Sequence, residues 1–336
     1  MFFIVVMEIY MRVASLFAGI GGIDLAFKQA GFSVIWSNDI DKYCQISYDL
    51  NHPNNNFVLK DINHINGNDL PEIDLLVGGF PCQSFSIAGN RKGFEDERGI
   101  LFYQIIRLLR ELDEADNKPL VLFFENVKNL KNHNKGETFN NIQLELKNLG
   151  YFIDDRVLNS AEYGNVPQNR ERIYIVAFLQ KEHLNRFEWP HKIELTNRIT
   201  DIIKWGEQVS EKFYCKKTWK CYPLMEKEIK NKNTIYHFRR VYVRENKNGL
   251  SPTLTANMGQ GGHNVPMMID NFGRIRKLTL RECLLLQGFP ETFKIPENIS
   301  FNQMYKQIGN SVTVPVVYRI AKSIKKALGD YYNEKI

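Results

Sequence analysis

Cysteine is scarce and scattered: five residues, Cys44, Cys82, Cys215, Cys221 and Cys283, in a chain of 336. An odd number so widely spaced is no disulfide framework, and it fits a reducing, cytoplasmic setting. Cys215 and Cys221 have no His or further Cys at zinc-ligand spacing, so no metal site is expected. No apolar run approaches the roughly 18 residues needed to span a bilayer, and no membrane helix is predicted. The opening MFFIVVMEIYM is apolar but short, and it lacks a basic leader and a small-residue cleavage site. Met11 is a candidate natural start, so residues 1–10 are given no function. Internal repeats and low-complexity tracts are missing too. With 43% hydrophobic and 24% charged residues, the composition is that of a soluble enzyme with one large or two ordinary domains.

What is present is a charge asymmetry. The net charge is +6, but residues 1–200 carry 21 Lys and Arg against 26 Asp and Glu. Residues 201–250 carry 12 against 6, and residues 251–336 carry 11 against 6. An acidic front and a basic back suit a polyanion met by one part of the molecule. Solvated lysine-rich surface is the plainer alternative.

Short apolar runs of strand length recur: RVASLF (12–17), SVIWSN leading to Asp39, IDLLVGG (73–79), PLVLFFE (119–125) and RIYIVAF (172–178). Helical spacing separates them, at 23–31, 41–50, 99–113 and 137–149. Continuous apolar strands alternating with helices predict a mostly parallel α/β sheet covered on both faces, with ligands beyond the carboxyl ends of its strands. Residues 190–272 are rich in Lys, Asn and Tyr and poor in periodicity, which predicts a smaller, mainly β second domain. Helical spacing returns at RECLLLQGF (281–289) and at 315–328.

The turn Phe17-Ala18-Gly19-Ile20-Gly21-Gly22 lets the backbone approach a ligand and presents helix amides. Asp24 stands where a dinucleotide fingerprint wants glycine, which argues against a pyrophosphate ligand. Asp39, at the end of the second strand, suits the two hydroxyls of an adenosine ribose. Asp61 is either an acceptor for an adenine amino group or a helix cap. GGFPCQSFS (78–86) sets Cys82 at a strand's carboxyl end on a turn stiffened by Pro81, where a reactive thiolate competes with the commoner packed thiol. The polar stretch 84–99 is a candidate lid. Glu125 ends its strand beside that edge, where partial desolvation raises a carboxyl toward a useful proton donor. A period of two puts Arg170 and Arg172 on one face; a surface salt bridge is the alternative to orienting a polar substrate ring.

Together, FAGIGG (17–22), GFPCQSFS (79–86), ENV (125–127), QNRER (168–172), REC (281–283), QGFP (287–290) and QIGNSV (307–312), in this order and spacing, resemble the cytosine-C5 DNA methyltransferases of bacterial restriction and modification systems. The resemblance runs from about Met11 to Ala327. It implies a Rossmann-like class I methyltransferase sheet with a smaller, mainly β target-recognition domain. The implied division is residues 1–189 for catalysis and S-adenosylmethionine, 190–272 for target recognition, 273–302 as a hinge with the REC motif, and 303–336 returning to the catalytic domain. Cys82 matches the nucleophile, Glu125 the contact to cytosine N3 and its amino group, and Arg172 the contact to O2, with Arg170 beside it as a further catalytic candidate.

Phe17, Gly19, Asp39, Asp61, Leu101 and Asn310 match S-adenosylmethionine contacts, and Ala18, Gly21, Gly22, Ile62, Pro81 and Ser311 flank them as candidates. Ile40 departs from relatives that carry tryptophan there to stack on adenine. Candidate DNA contacts are Gln83, Ser84, Ser86, Arg91 and Lys92 after the nucleophile, and Arg239, Arg240, Arg244, Gly261 and Gly262 in the basic region, where arginine suits guanine edges or phosphates. The resemblance further implies a double-stranded DNA substrate with its base flipped out, a companion restriction endonuclease, no membrane and a monomer. An RNA cytosine methyltransferase and a non-catalytic nucleic-acid-binding module are the competing readings. The basic region weighs against the first, and the set Cys82, Glu125 and Arg172 against the second.

Overall fold

The apolar runs form strands because they alternate between two cores. Val13, Leu75, Val77, Val121 and Phe123 face one buried cluster, and Ala14, Leu16, Leu76, Leu122 and Phe124 face the other. A computed structural model describes residues 10–81, 100–239, 241–259 and 265–329. The strands are β1 (Arg12–Leu16), β2 (Ser33–Asp39), β3 (Asn56–Leu59), β4 (Leu75–Gly78), β5 (Val121–Val127), β6 (Phe152–Asn159), the two-residue β7 (Gln168–Asn169) and β8 (Glu171–Phe178). Seven of them make one sheet in the order β3-β2-β1-β4-β5-β8-β6. The pairs from β3 to β5 are parallel, whereas β8 runs antiparallel to both β5 and β6. The mostly parallel sheet is therefore present, with RIYIVAF as its reversed member.

Helices Gly22–Gln29 and Val314–Leu328 cover the first face, and helices Ile100–Glu114 and Glu137–Asn148 the second. The chain enters at the sheet centre, moves outward through β2 and β3, and returns to place β4 against the other side of β1. This reversal opens a crevice at the carboxyl ends of β1 and β4, where α/β sheets hold ligands.

The basic region forms a second, antiparallel sheet from β9 (Ile235–Arg239), β10 (Tyr242–Asn246), β12 (Val265–Ile269) and β13 (Ile275–Lys277), ordered β10-β9-β12-β13. The intervening two-residue β11 (Ser251–Pro252) pairs with β7 instead. Because β13 belongs to it, the small sheet runs past residue 272 into the stretch expected as a hinge. Arg276 of β13 makes a bidentate pair with Glu282 of the REC helix at 2.7 and 2.8 Å, both side chains nearly excluded from water. Among the described residues no helix is long and apolar enough to cross a membrane.

Candidate active site

At the end of β1 the backbone turns through Phe17 (φ 53°), Gly19 (φ 57°) and Gly21 (φ 80°), and Gly21 caps the helix Gly22–Gln29. Left-handed backbone favours glycine, which explains the spacing of this turn. Among the described residues, a Cβ at Gly19 would meet nothing within 4 Å, so that face is open to them. The Gly19 amide donates to Asp39 Oδ2 at 2.9 Å, and the Asp41 amide donates to Oδ1 at 2.9 Å. Burial raises the Asp39 carboxyl above its usual range, and these amides pull it back. Ile40 beside it is 67% exposed. Ala18 and Ile62 are buried and Leu101 is partly so.

Asp24 turns away from the crevice into the core, where it accepts from Ser37 at 2.7 Å and Tyr48 at 2.6 Å. Asp61 caps the turn Ile62–His64 by accepting from the Asn63 amide at 2.9 Å, the structural alternative left open by its spacing. Asn310 ends the helix Phe301–Asn310, and Ser311 follows as its C-cap. A Cβ at Gly22 would lie 2.5 Å from Ser311 Oγ, so the last motif packs against the first.

One strand pair over, Glu125 of β5 and Arg172 of β8 approach at 3.1 Å between Oε1 and Nε. The antiparallel register sets Val127 opposite Arg172, which brings the start of β8 to the carboxyl end of β5. Glu125 is 8% exposed. Burial raises its carboxyl pKa, while Arg172 and then Arg170 oppose the rise. A Cβ on Gly79 would stand 3.5 Å from Glu125 Oε2. Asn126 donates to the Phe80 carbonyl at 2.9 Å, tying β5 to the backbone that leads through exposed Pro81 toward Cys82.

Arg170 does not share the face of Arg172. Strand structure is interrupted between β7 and β8 at this residue, and its guanidinium is buried, donating to the Leu254 carbonyl at 2.8 Å, the Ser311 carbonyl at 2.6 Å and the Gly309 carbonyl at 3.4 Å. Burial lowers its pKa to about 9, Arg172 adding to the effect. With both Nη groups bonded to main-chain carbonyls, Arg170 clamps the segments at 254 and 309–311 to the start of β8. Sequence reasoning missed its partners. Gln168 donates to the Leu286 carbonyl at 2.6 Å and accepts from the Leu254 amide at 2.9 Å. Gln287 donates to the Ile308 carbonyl at 2.8 Å. The glutamines in QNRER and QGFP thus tie QNRER to QGFP and to the main chain at 254 and 286, and QGFP to QIGNSV. Their only sequence signal is a polar residue abutting apolar runs.

On the small sheet, Arg239 and Arg244 are exposed and flank a turn where Val241 is 81% exposed. Arg239 Nη1 donates to the Tyr242 hydroxyl at 3.2 Å. Cys82, Gln83, Ser84, Ser86, Arg91, Lys92, Arg240, Gly261 and Gly262, together with the candidate lid, lie outside the described residues.

With this geometry in view, comparison with known proteins is specific. The profile of a family described as C-5 cytosine-specific DNA methylase matches residues 11–326. The chain is 48% identical over 322 residues to the type II methyltransferase M.Bsp6I of Bacillus sp. (strain RFL6), covering 95% of this chain and 99% of that one. It is 35% identical over 337 residues to M.HhaI of Haemophilus parahaemolyticus, covering 95% of each. Among solved structures, S. pombe Dnmt2 superposes with a TM-score of 0.74 at 21% identity, covering 95% of this chain and 99% of that chain. At that identity the likeness speaks to the fold alone.

Proposed function

Because the chain belongs to the C-5 cytosine-specific DNA methylase family, we propose that it methylates C5 of a flipped-out cytosine in a specific duplex DNA sequence, using S-adenosylmethionine, as the modifying half of a restriction and modification system. The observation that carries this reading is the Glu125–Arg172 pair at the sheet edge where the chain enters GFPC. A monomeric enzyme and a companion endonuclease reading the same sequence belong to the same proposal, as do residues 190–272, together with β13, as the target-reading domain.

The first crevice fits the methyl donor. Open Gly19, half-buried Asp39 and exposed Ile40 offer room for backbone approach, a carboxylate for ribose hydroxyls and an apolar surface for a purine. Phe17, Asp61, Leu101 and Asn310 are assigned to the same ligand. When bound, S-adenosylmethionine supplies an electrophilic methyl group on its sulfonium.

Cytosine C5 is too weak a nucleophile to take that group unaided. In the proposed reaction the Cys82 thiolate adds to C6, and the electron pair of the C5–C6 double bond becomes available at C5. Glu125 donates to N3 and Arg172 to O2, stabilising charge that develops in the ring. The raised Glu125 pKa suits a donor. After C5 has gained its methyl group, a base removes the C5 proton, the double bond re-forms and the thiolate leaves. The base must first leave the duplex stack, which costs a few kcal/mol.

The test is transfer of labelled methyl from S-adenosylmethionine to duplex DNA, with 5-methylcytosine as product and loss of transfer in Cys82→Ser. Transfer to RNA alone would overturn the substrate assignment.

A further inference from the structure

Beneath the glycine turn lies a buried polar group that the proposed reaction does not use. His52 caps the helix Lys42–Asn51 and is 4% exposed. A Cβ built on Gly21 would overlap its Nε2 and stand 2.7 Å from Cδ2, so the backbone of the turn rests on the imidazole edge. The ring is held from behind by Tyr48, with centroids 4.4 Å apart and an interplanar angle of 31°. The Tyr48 hydroxyl reaches Asp24 Oδ2 at 2.6 Å, and Asp24 belongs to the first turn of the helix that Gly21 caps. Asn55 donates to the same hydroxyl at 2.6 Å and accepts from Lys28 at 2.7 Å. Gly21, His52, Tyr48 and Asp24 therefore close a ring of contacts around the start of that helix. Nothing in it reaches the face of Gly19 that is open.

We propose that His52 is a positioning residue for the methyl-donor turn, its ring fixing the height of the Gly21 backbone and so the separation between the Gly19 face and Asp39. The inference rests on the assignment of that turn to S-adenosylmethionine. Burial lowers the His52 pKa; Asp24 opposes this and Lys28 adds to it. The ring packs between Tyr48 and the Gly21 backbone, so its shape is what the turn reads. The turn's own glycine follows from the same contact: a left-handed φ and a ring edge against the α-carbon both exclude a side chain at Gly21.

The experiment measures S-adenosylmethionine Kd by calorimetry, and KM for each substrate, on the full chain. His52→Ala removes the support and is expected to raise Kd and KM for S-adenosylmethionine roughly tenfold, with kcat at saturation and KM for DNA within about twofold of the parent. His52→Phe, which keeps the ring, is expected to return both to within about threefold. If His52→Ala does not fold, His52→Gln, which also lacks the ring, replaces it with the same expectation. A folded ringless variant that binds S-adenosylmethionine as the parent does overturns the inference, and so does a loss falling on kcat and DNA KM alike. A parent protein that binds no S-adenosylmethionine overturns instead the site assignment beneath it.

Discussion

Arg172 Nε lies 3.1 Å from Glu125 Oε1, and the two side chains are only 14% and 10% exposed. A carboxyl and a guanidinium so placed are held by strands of opposite direction, β5 and β8, so neither depends on loop conformation for its position. Glu125→Gln is expected to lower kcat by roughly 10²–10³, the loss typical for removing one preorganised group that answers developing charge. Arg172→Lys keeps the charge and loses the planar fork, with a loss of similar order expected. Single-turnover methylation at saturating substrates measures both.

Asp39 carries a pH prediction. Its carboxyl is raised by burial, and only the ionised form accepts two hydroxyl donors. As pH falls, S-adenosylmethionine affinity should begin to drop at a higher pH than an ordinary carboxylate near 4 would give. Asp39→Asn should be weaker at neutral pH and flat across the acid range. Titrating Kd for both proteins checks the direction.

The Arg276–Glu282 pair joins the small sheet to the REC helix in near-complete exclusion from water. Glu282 also accepts from the Thr279 amide at 2.7 Å and the Lys204 amide at 2.9 Å. Arg276→Met leaves that carboxylate buried and unpaired, and about 3–5 kcal/mol of destabilisation is expected in denaturant titration. Arg276→Met with Glu282→Leu should recover part of it, less the bonds to those two amides.

Arg239 and Arg244 stand exposed on β9 and β10. If they meet phosphates, Arg239→Gln and Arg244→Gln should each reduce the slope of log K for DNA against log salt by about 1, leaving S-adenosylmethionine Kd unchanged. An unchanged slope would return the basic half of the chain to solvated surface.

The strand ends were legible because apolar runs stop at chemistry-bearing residues, and Asp39 and Glu125 are found at the carboxyl ends of their strands as their positions imply, whereas Arg172, near the start of its strand, joins them only because β8 is reversed. Strand direction was not: RIYIVAF reads the same whether parallel or reversed. β6 escaped notice because, at the edge of the sheet, Asp154, Asp155 and Arg156 interrupt its apolar pattern and only Leu158 is buried. Arg170 misled because alternation assumes a continuous strand, and the strand is interrupted there. Asp61 shows the limit of spacing, since one carboxylate position serves cap and ligand equally well.

The most direct test of the account uses duplex DNA carrying 5-fluorocytosine at the methylated position. Fluorine cannot leave as a proton does, so elimination is blocked after methylation. The account predicts a covalent complex that forms only with S-adenosylmethionine present and whose peptide map shows the DNA attached at Cys82. Efficient methylation of ordinary cytosine with no such complex, or attachment at another residue, would contradict it.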